Sequence, residues 1–273
     1  MKLLTVGDDY GFTKGVTLGI IEAIDQGVLK NTGLFTNMPS SALAAELMKG
    51  RDHVCFGIDF NIVSGRPVCN PKDIPHLVDE NGEFIRSSVR IKDPRWKSEE
   101  GRREMFPYDE VFKELKAQYD KFIELTGKKP GYLHNHSISN ESYKEAIQAI
   151  SKETLVPHSF TLLDQMGVVT VGLRKTNATT KKQFNPIEQL NHNPIQDLYD
   201  DLDLMLSSEY AVLGGHPGYV DNDLLNLSSL SLERCKDLEM MTSNQLKQLI
   251  TEHNIELITY YDLLQDALKL SQF

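Results

Sequence analysis

Short apolar runs alternate with amphipathic helical patterns along the whole of this sequence. The apolar runs predict strands at residues 2–7, 34–37, 54–61, 132–135, 167–173, 211–214 and 255–260. Helical patterns occupy residues 13–26, 41–49, 108–125, 191–206 and 244–253. Such alternation is typical of parallel strands joined by helical crossovers. We therefore predict an α/β protein. The favoured architecture is a closed or nearly closed (β/α) barrel, which is TIM-barrel-like but can be distorted or have fewer than eight strands. The alternative is an open doubly wound sheet.

The chain is expected to form a single domain over residues 1–273, with one irregular excursion at about 64–106. This polar stretch holds several prolines and the only tryptophan, Trp96. Long irregular segments of this kind often cover a functional site. A further helix is predicted to begin near Ser142 rather than Ser139, because Ser142 and Glu145 have the spacing of a capping box.

Charge and motifs exclude several classes of function. The formal net charge is -10, so binding to nucleic acid or to an anionic membrane is not expected, and a neutral small molecule or a cation is favoured. No glycine-rich dinucleotide or phosphate loop follows the first strand, and no Gly-x-Ser-x-Gly elbow is present. The N-terminus lacks a signal-peptide pattern and no apolar run reaches membrane-spanning length, which predicts a cytoplasmic location.

Four polar clusters stand near the ends of predicted strands: Asp8 with Asp9, Asp59 with Asn61, His134 with His136, and His216. In a barrel of parallel strands, that edge is where active sites are built. Adjacent carboxylates leaving a strand point in different directions, so one can bind a metal while the other acts as a base. Of the two histidines, only one is expected to reach a metal, because the short strand ends between them.

Each cluster also has an ordinary structural explanation. Asp8 or Asp9 could cap a helix or a turn, and Asp59 could equally hold a salt bridge or a loop hydrogen bond. His216 lies between glycines and a proline, which fixes the backbone around a group suited to acid–base chemistry. The recurrence of such groups at equivalent places favours metal-assisted hydrolysis with a separate base and acid.

Several segments resemble the YdjC-like family of carbohydrate deacetylases. They are residues 6–11 (Val-Gly-Asp-Asp-Tyr-Gly), 57–61, 65–67, 77–82, 216–221 (His-Pro-Gly-Tyr-Val-Asp) and 234–238 (Arg-Cys-Lys-Asp-Leu). The resemblance spans nearly the whole chain in order. It implies a TIM-barrel-like fold, a divalent metal commonly written as Mg²⁺, and hydrolysis of the acetamide of an amino sugar, usually in a chito-oligosaccharide or a related glycan.

The resemblance also implies roles for individual residues. Asp8 corresponds to the general base, Asp9 to a metal ligand and His216 to the acid. His136 aligns with a metal-binding histidine, whereas Asp59 stands where the family usually has a histidine. We therefore expect Asp9, Asp59 and His136 to hold one divalent cation, Mg²⁺ first, with Zn²⁺ or Mn²⁺ as alternatives.

Residues that contact the substrate are expected among the matched segments. The substrate is predicted to be a small carbohydrate, contacted by Asn61, Arg66, Tyr219 and Arg234. His134 replaces a family aspartate, and His158 follows Val-Pro where the family has an arginine. These departures indicate a pocket that takes a different substrate.

Three hypotheses follow. The first is a metal-dependent hydrolase that removes an acetyl group from an N-acetylated amino sugar or oligosaccharide, with Asp8 as base and His216 as acid. The second is a catalytically eroded barrel that binds a sugar or a metal, and the third is a metal-dependent sugar isomerase on the same scaffold. Acetate release separates the first from the others. The sequence leaves open whether the chain forms a homodimer.

Overall fold

The computed structural model describes residues 1–172 and 185–270. The strands are β1 (Lys2–Tyr10), β2 (Asn31–Leu34), β3 (Cys55–Phe60), β4 (Leu133–Asn135), β5 (Val169–Val171), β6 (Tyr210–Gly215) and β7 (Glu256–Ile258). The helices are α1 (Lys14–Asp25), α2 (Ser41–Leu47), α3 (Ser87–Arg90), α4 (Glu99–Met105), α5 (Tyr108–Thr126), α6 (Glu141–Thr154), α7 (Ser159–Gln165), α8 (Pro186–Leu190), α9 (Pro194–Asp200), α10 (Leu202–Ser207), α11 (Asn222–Leu227), α12 (Glu233–Thr242), α13 (Asn244–Glu252) and α14 (Tyr260–Leu270). None of the helices in the described ranges is long and apolar enough to cross a membrane.

The described strands form one seven-stranded sheet in the order β4-β3-β2-β1-β6-β5, with β7 paired to β1. Every strand pairing is parallel. The sheet curls into a half-barrel surrounded by helices, which confirms the predicted barrel-like α/β class. Because the strands are parallel, their carboxyl ends meet at one edge.

Strand β1 lies at the centre of this sheet. It pairs with β6 from Lys2 to Gly7, with β7 from Lys2 to Leu4, and with β2 from Val6 onward. Its side chains are buried on both faces, as expected for a strand inside a parallel sheet. Leu3 belongs to the larger hydrophobic cluster, while Leu4 and Val6 belong to a smaller one. Asp8 and Asp9, near the end of β1, are therefore carried by a strand that is fixed by its strand pairings and by its buried side chains.

The second strand lies earlier in the chain than the sequence predicted. It spans Asn31–Leu34 rather than residues 34–37. Its polar side chains are buried but satisfied: the Thr32 hydroxyl donates to the Gly7 carbonyl at 2.6 Å, and the Asn31 amide donates to the Thr5 carbonyl at 3.1 Å. Hydrogen bonds to the neighbouring strand thus replace the apolar pattern on which the prediction relied.

Two helices also differ from the prediction. Helix α6 begins at Glu141, because the Asn140 side chain accepts from the Tyr143 backbone N–H at 3.0 Å, so the predicted capping box at Ser142 is wrong. The helix predicted at 191–206 is divided into α9 and α10. Of the strand predicted at 167–173, the structure shows β5, and residue 173 lies outside the described residues.

The excursion at 64–106 contains α3, α4 and two short 3-10 helices, Pro71–Asp73 and Pro94–Lys97. It is tied to α5 by the buried Glu114, whose carboxylate accepts from the backbone N–H groups of Val68 and Cys69, each at 2.9 Å. Buried Arg90 donates to the His76 carbonyl at 2.5 Å. The Glu114 contacts fix the start of the excursion to α5, and the Arg90 contact joins two parts of the excursion itself. Its residues Ser87 and Ser88 line a cavity together with Asp9.

Candidate functional site

The predicted polar clusters meet at the carboxyl edge of the sheet. Asp9 is the second-last residue of β1, and Asp59 lies near the end of β3. His136 lies just after β4, and His216 just after β6. Four different parallel strands thus contribute to one site, which is how barrel proteins assemble active sites.

Strand β1 departs from regular geometry where its aspartates lie. Asp9 has a left-handed backbone, with φ of 73°, and the pairing with β2 shifts register between Gly7 and Tyr10. A regular strand would place adjacent side chains on opposite faces. The irregularity turns the Asp9 side chain toward Asp59 and His136 and leaves it buried, while Asp8 stays partly exposed.

Asp9, Asp59 and His136 form a compact group of three potential metal ligands. One ligand atom from each lies within 4.8 Å of the others. The Asp9 backbone N–H donates to Asp59 Oδ2 at 3.3 Å, and Asp9 Oδ1 lies 2.9 Å from His136 Nδ1. Asp59 Oδ1 is buried and has no hydrogen-bond partner among the residues described. An orphaned buried carboxylate oxygen beside a second carboxylate and an imidazole fits a divalent cation.

Arg234 supplies the positive charge closest to this group. Its Nη2 lies 2.5 Å from Asp9 Oδ2, and both side chains are almost fully buried. Burial alone would raise the pKa of Asp9, but the charges of Arg234 and His136 hold it well below the usual range. Burial, together with the charges of Asp8 and Asp9, raises the pKa of Asp59 well above its usual range. The negative charges of Asp8 and Asp9 thus act against ionisation of Asp59, and a bound cation would relieve that repulsion.

Asp8 and His216 share a second part of the site. Burial raises the pKa of Asp8, the positive charge of His216 opposes that rise, and the negative charge of Asp9 adds to it. Asp8 is not a member of the compact ligand group. It is therefore a carboxylate with a raised pKa next to a histidine, the arrangement that a separate base and acid require.

The backbone around His216 is clamped by α12. The His216 N–H donates to Asp237 Oδ2 at 2.7 Å, and the Gly218 N–H donates to the Arg234 carbonyl at 3.2 Å. Burial raises the pKa of Asp237 to about 6, and the hydrogen bond from His216 opposes that rise. Helix α12 thus contacts both Asp9 and the His216 segment.

Helix α1 clamps the same segment from the other side. The Tyr219 N–H donates to the Gly15 carbonyl at 3.1 Å, and the Gly15 N–H donates to Asp221 Oδ2 at 2.5 Å. A Cβ at Gly19 would lie 2.6 Å from Gly218 Cα, so only a glycine permits this approach. The segment carrying His216 is therefore held between two helices.

The predicted substrate-contacting residues occupy different places. Arg234 lines a cavity of about 450 Å³ together with Asp9, His136 and His216. Asn61 is buried, where its amide donates to the Ser64 carbonyl at 2.8 Å. The Arg66 side chain is 68% exposed, and its Nε lies 3.7 Å from Glu83 Oε1.

Tyr219 is also exposed, and its hydroxyl donates to the Glu22 carboxylate. Substrate contacts by these four residues stay predictions.

His134, the other histidine of its pair, is hydrogen-bonded away from the ligand group. Its Nδ1 lies 2.8 Å from the Ser159 hydroxyl. Burial, with a contribution from His136, lowers its pKa to about 4. The sequence analysis did not identify Asp237 as the residue that holds the His216 backbone. Asp237 lies in a segment that resembles the family, one helical turn after Arg234, and this spacing was the signal that could have identified it.

Two known proteins and one crystal structure resemble this chain over nearly its whole length. A carbohydrate deacetylase 2 from Listeria innocua serovar 6a is 31% identical over 96% of this chain and 99% of its own length. A carbohydrate deacetylase from Clostridium beijerinckii is 29% identical over 96% of this chain and 100% of its own length. A crystal structure from Enterococcus faecalis V583, described as that of a proposed cellobiose-phosphate cleavage protein, superposes with a TM-score of 0.75 at 24% identity. That superposition covers 96% of this chain and 98% of the other. The model of the YdjC-like protein family matches residues 2–252, and the chain therefore belongs to that family.

Proposed function

We propose that this protein is a metal-dependent hydrolase that removes an acetyl group from an N-acetylated amino sugar or oligosaccharide. The observation that carries the proposal is the Asp9–Asp59–His136 group, in which both carboxylates are buried and one Asp59 oxygen has no partner among the described residues, beside Asp8 and His216. The names of the relatives support carbohydrate deacetylation as the reaction. A cytoplasmic location and a homodimeric state stay predictions from the sequence.

Asp9, Asp59 and His136 would hold the metal. Two carboxylates and one imidazole suit Mg²⁺, which family resemblance favours, and also Mn²⁺ or Zn²⁺. When bound, a divalent cation would polarise the acetamide carbonyl and lower the pKa of a water molecule. Arg234 keeps Asp9 ionised, so that one carboxylate of the group is always available as a ligand.

Asp8 and His216 carry the two proton transfers. Asp8 takes a proton from the attacking water, and its raised pKa makes it a stronger base than an exposed aspartate. His216 gives a proton to the amine as the carbon–nitrogen bond breaks. One water is consumed, and acetate and a free amino sugar are released. Because Asp237 fixes the His216 backbone, this proton donor is held in place before substrate binds.

The test combines metal analysis with acetate release from a panel of N-acetylated mono- and oligosaccharides. The Asp8→Asn variant is expected to keep its metal and to lose about 10²–10⁴-fold in turnover, the range for a general base. Leu18→Ala, on the exposed side of α1, serves as a control that keeps both. Parallel loss of metal and turnover in Asp8→Asn would make Asp8 a ligand.

A second candidate is a barrel that binds sugar without turnover. It is favoured by Asp59, which adds a negative charge where the family usually has a histidine and so weakens the cation as an electrophile. Tight sugar binding with no acetate release from any member of the panel would support this candidate. Interconversion of sugars without acetate release would instead support an isomerase.

A further inference from the structure

His216 also lines a second cavity. This cavity has a volume of about 760 Å³ and shares Ser137 and His216 with the cavity that contains Asp9 and Arg234. The two cavities therefore meet where the proposed proton donor lies. A molecule that reacts at His216 and is longer than one cavity would extend into the other.

Phe160 forms the wall of this second cavity. It lies in the first turn of α7, and 50% of its surface is exposed. Two imidazoles support its ring: the His134 centroid lies 4.8 Å away, and the His158 centroid lies 5.7 Å away in an edge-on arrangement. An exposed aromatic ring next to a catalytic edge offers a flat apolar surface to a ligand.

The supporting histidines are themselves fixed. His134 Nδ1 lies 2.8 Å from the Ser159 hydroxyl, and His158 Nδ1 lies 3.0 Å from the Thr161 hydroxyl. The wall is therefore ordered before any ligand arrives, which lowers the entropy cost of binding.

The chemistry of the two cavities differs. The first is lined by charged groups that include Asp9, Arg86 and Arg234. In the second, burial lowers the pKa of His158 to about 4, so its ring is uncharged at neutral pH. Apart from His216, which both cavities share, its charged groups are Lys144 and Asp164, which carry opposite charges. An aromatic wall with hydroxyl, amide and imidazole groups matches a neutral sugar ring, which has an apolar C–H face and a rim of hydroxyl groups.

We propose that the cavity walled by Phe160, His134 and His158 is a subsite for the sugar next to the one that loses its acetyl group. Phe160 is then the residue that determines specificity for a substrate with a ring at this position. This inference rests on the proposed function, because the reacting ring occupies the Asp9 cavity. His134 and His158 are positioning residues that hold the Phe160 ring.

The experiment compares an N-acetylated monosaccharide with its disaccharide, N-acetylglucosamine and its β-1,4-linked dimer, on the full chain in Mg²⁺. Wild type is expected to favour the dimer in kcat/KM. Phe160→Ala should lower kcat/KM for the dimer about tenfold, the size of one aromatic stacking contact, and leave the monosaccharide unchanged. Phe160→Tyr should restore the dimer value. Leu190→Ala, which removes a similarly exposed apolar side chain elsewhere, should change neither.

Direct binding separates this proposal from the proposed function. Calorimetric titration of both sugars reports the subsite even if no acetate is released. Weaker binding of the dimer alone in Phe160→Ala supports the subsite, whatever the turnover. An unchanged dimer-to-monosaccharide ratio in that variant, or no preference for the dimer in wild type, overturns it.

Discussion

Replacing Gly19 with alanine is expected to separate activity from stability. The new Cβ would lie 2.6 Å from Gly218 Cα and 2.8 Å from the Tyr219 nitrogen, and both are backbone atoms that cannot rotate away. Restoring an ordinary carbon–carbon contact requires a displacement of roughly 1 Å, two residues from His216. A misplacement of about 1 Å in catalytic geometry can cost roughly 10²-fold in rate.

The effect of Gly19→Ala on stability should be small by comparison. Overpacking costs about 1–3 kcal/mol, and the better helix propensity of alanine offsets about 1 kcal/mol of that. The net loss of about 1 kcal/mol lowers the melting temperature by roughly 2–4 °C in a chain of this size.

Acetate-release kinetics and thermal unfolding of Gly19→Ala and of the neighbouring Leu18→Ala provide the comparison. Full activity in Gly19→Ala, or a loss of activity that follows unfolding, would refute the idea that this contact positions His216.

Three further predictions concern the charged groups of the site. Asp59→Ala should weaken metal binding, measured by calorimetry, whereas Asp59→His should keep a bound metal. Unchanged metal affinity in the alanine variant would show that Asp59 is a loop residue and not a ligand. In metal-free buffer, Arg234→Met should lower the free energy of unfolding by about 3–5 kcal/mol, because Asp9 loses a buried partner. Adding a divalent cation should restore part of that loss in urea denaturation, and no restoration would contradict the proposed placement of the cation at Asp9. The pKa of Asp237 rises from 3.8 to about 6 on folding, so its contribution to stability is complete below pH 3.8 and is lost as the pH rises through 6. The Asp237→Asn variant should lack this decline in unfolding experiments between pH 4 and 6, and an identical slope would show that another group causes it.

Apolar periodicity predicted the fold class because most strands of this sheet are buried on both faces. The same rule failed at β2, where Asn31 and Thr32 are buried and satisfied by backbone carbonyl groups. It also failed to predict α12, whose buried residues include Glu233, Arg234 and Asp237. A helix that buries charged side chains at the candidate site lacks the apolar stripe from which helices are predicted.

The position of the site was predictable, but its connections were not. Polar residues near strand ends identified Asp9, Asp59, His136 and His216, because parallel strands meet at one edge. The contact of Arg234 with Asp9 joins residues that are far apart in the chain, and no local pattern encodes it. The left-handed backbone of Asp9 was equally hidden, because such geometry is imposed by surrounding structure rather than by residue type.

The central place of β1 has a consequence for the order in which the molecule can fold. Its Lys2 pairs with Tyr210 of β6 and with Glu256 of β7, which both lie far later in the chain. Until β6 and β7 have been synthesised, the Lys2–Leu4 part of β1 lacks its partners, whereas the Val6–Tyr10 part can already pair with β2. Pairings of such long sequence separation form slowly and leave intermediates open to aggregation. The edge that carries Asp9 and the candidate site is therefore completed only once β6, which leads to His216, has been synthesised and has paired with β1.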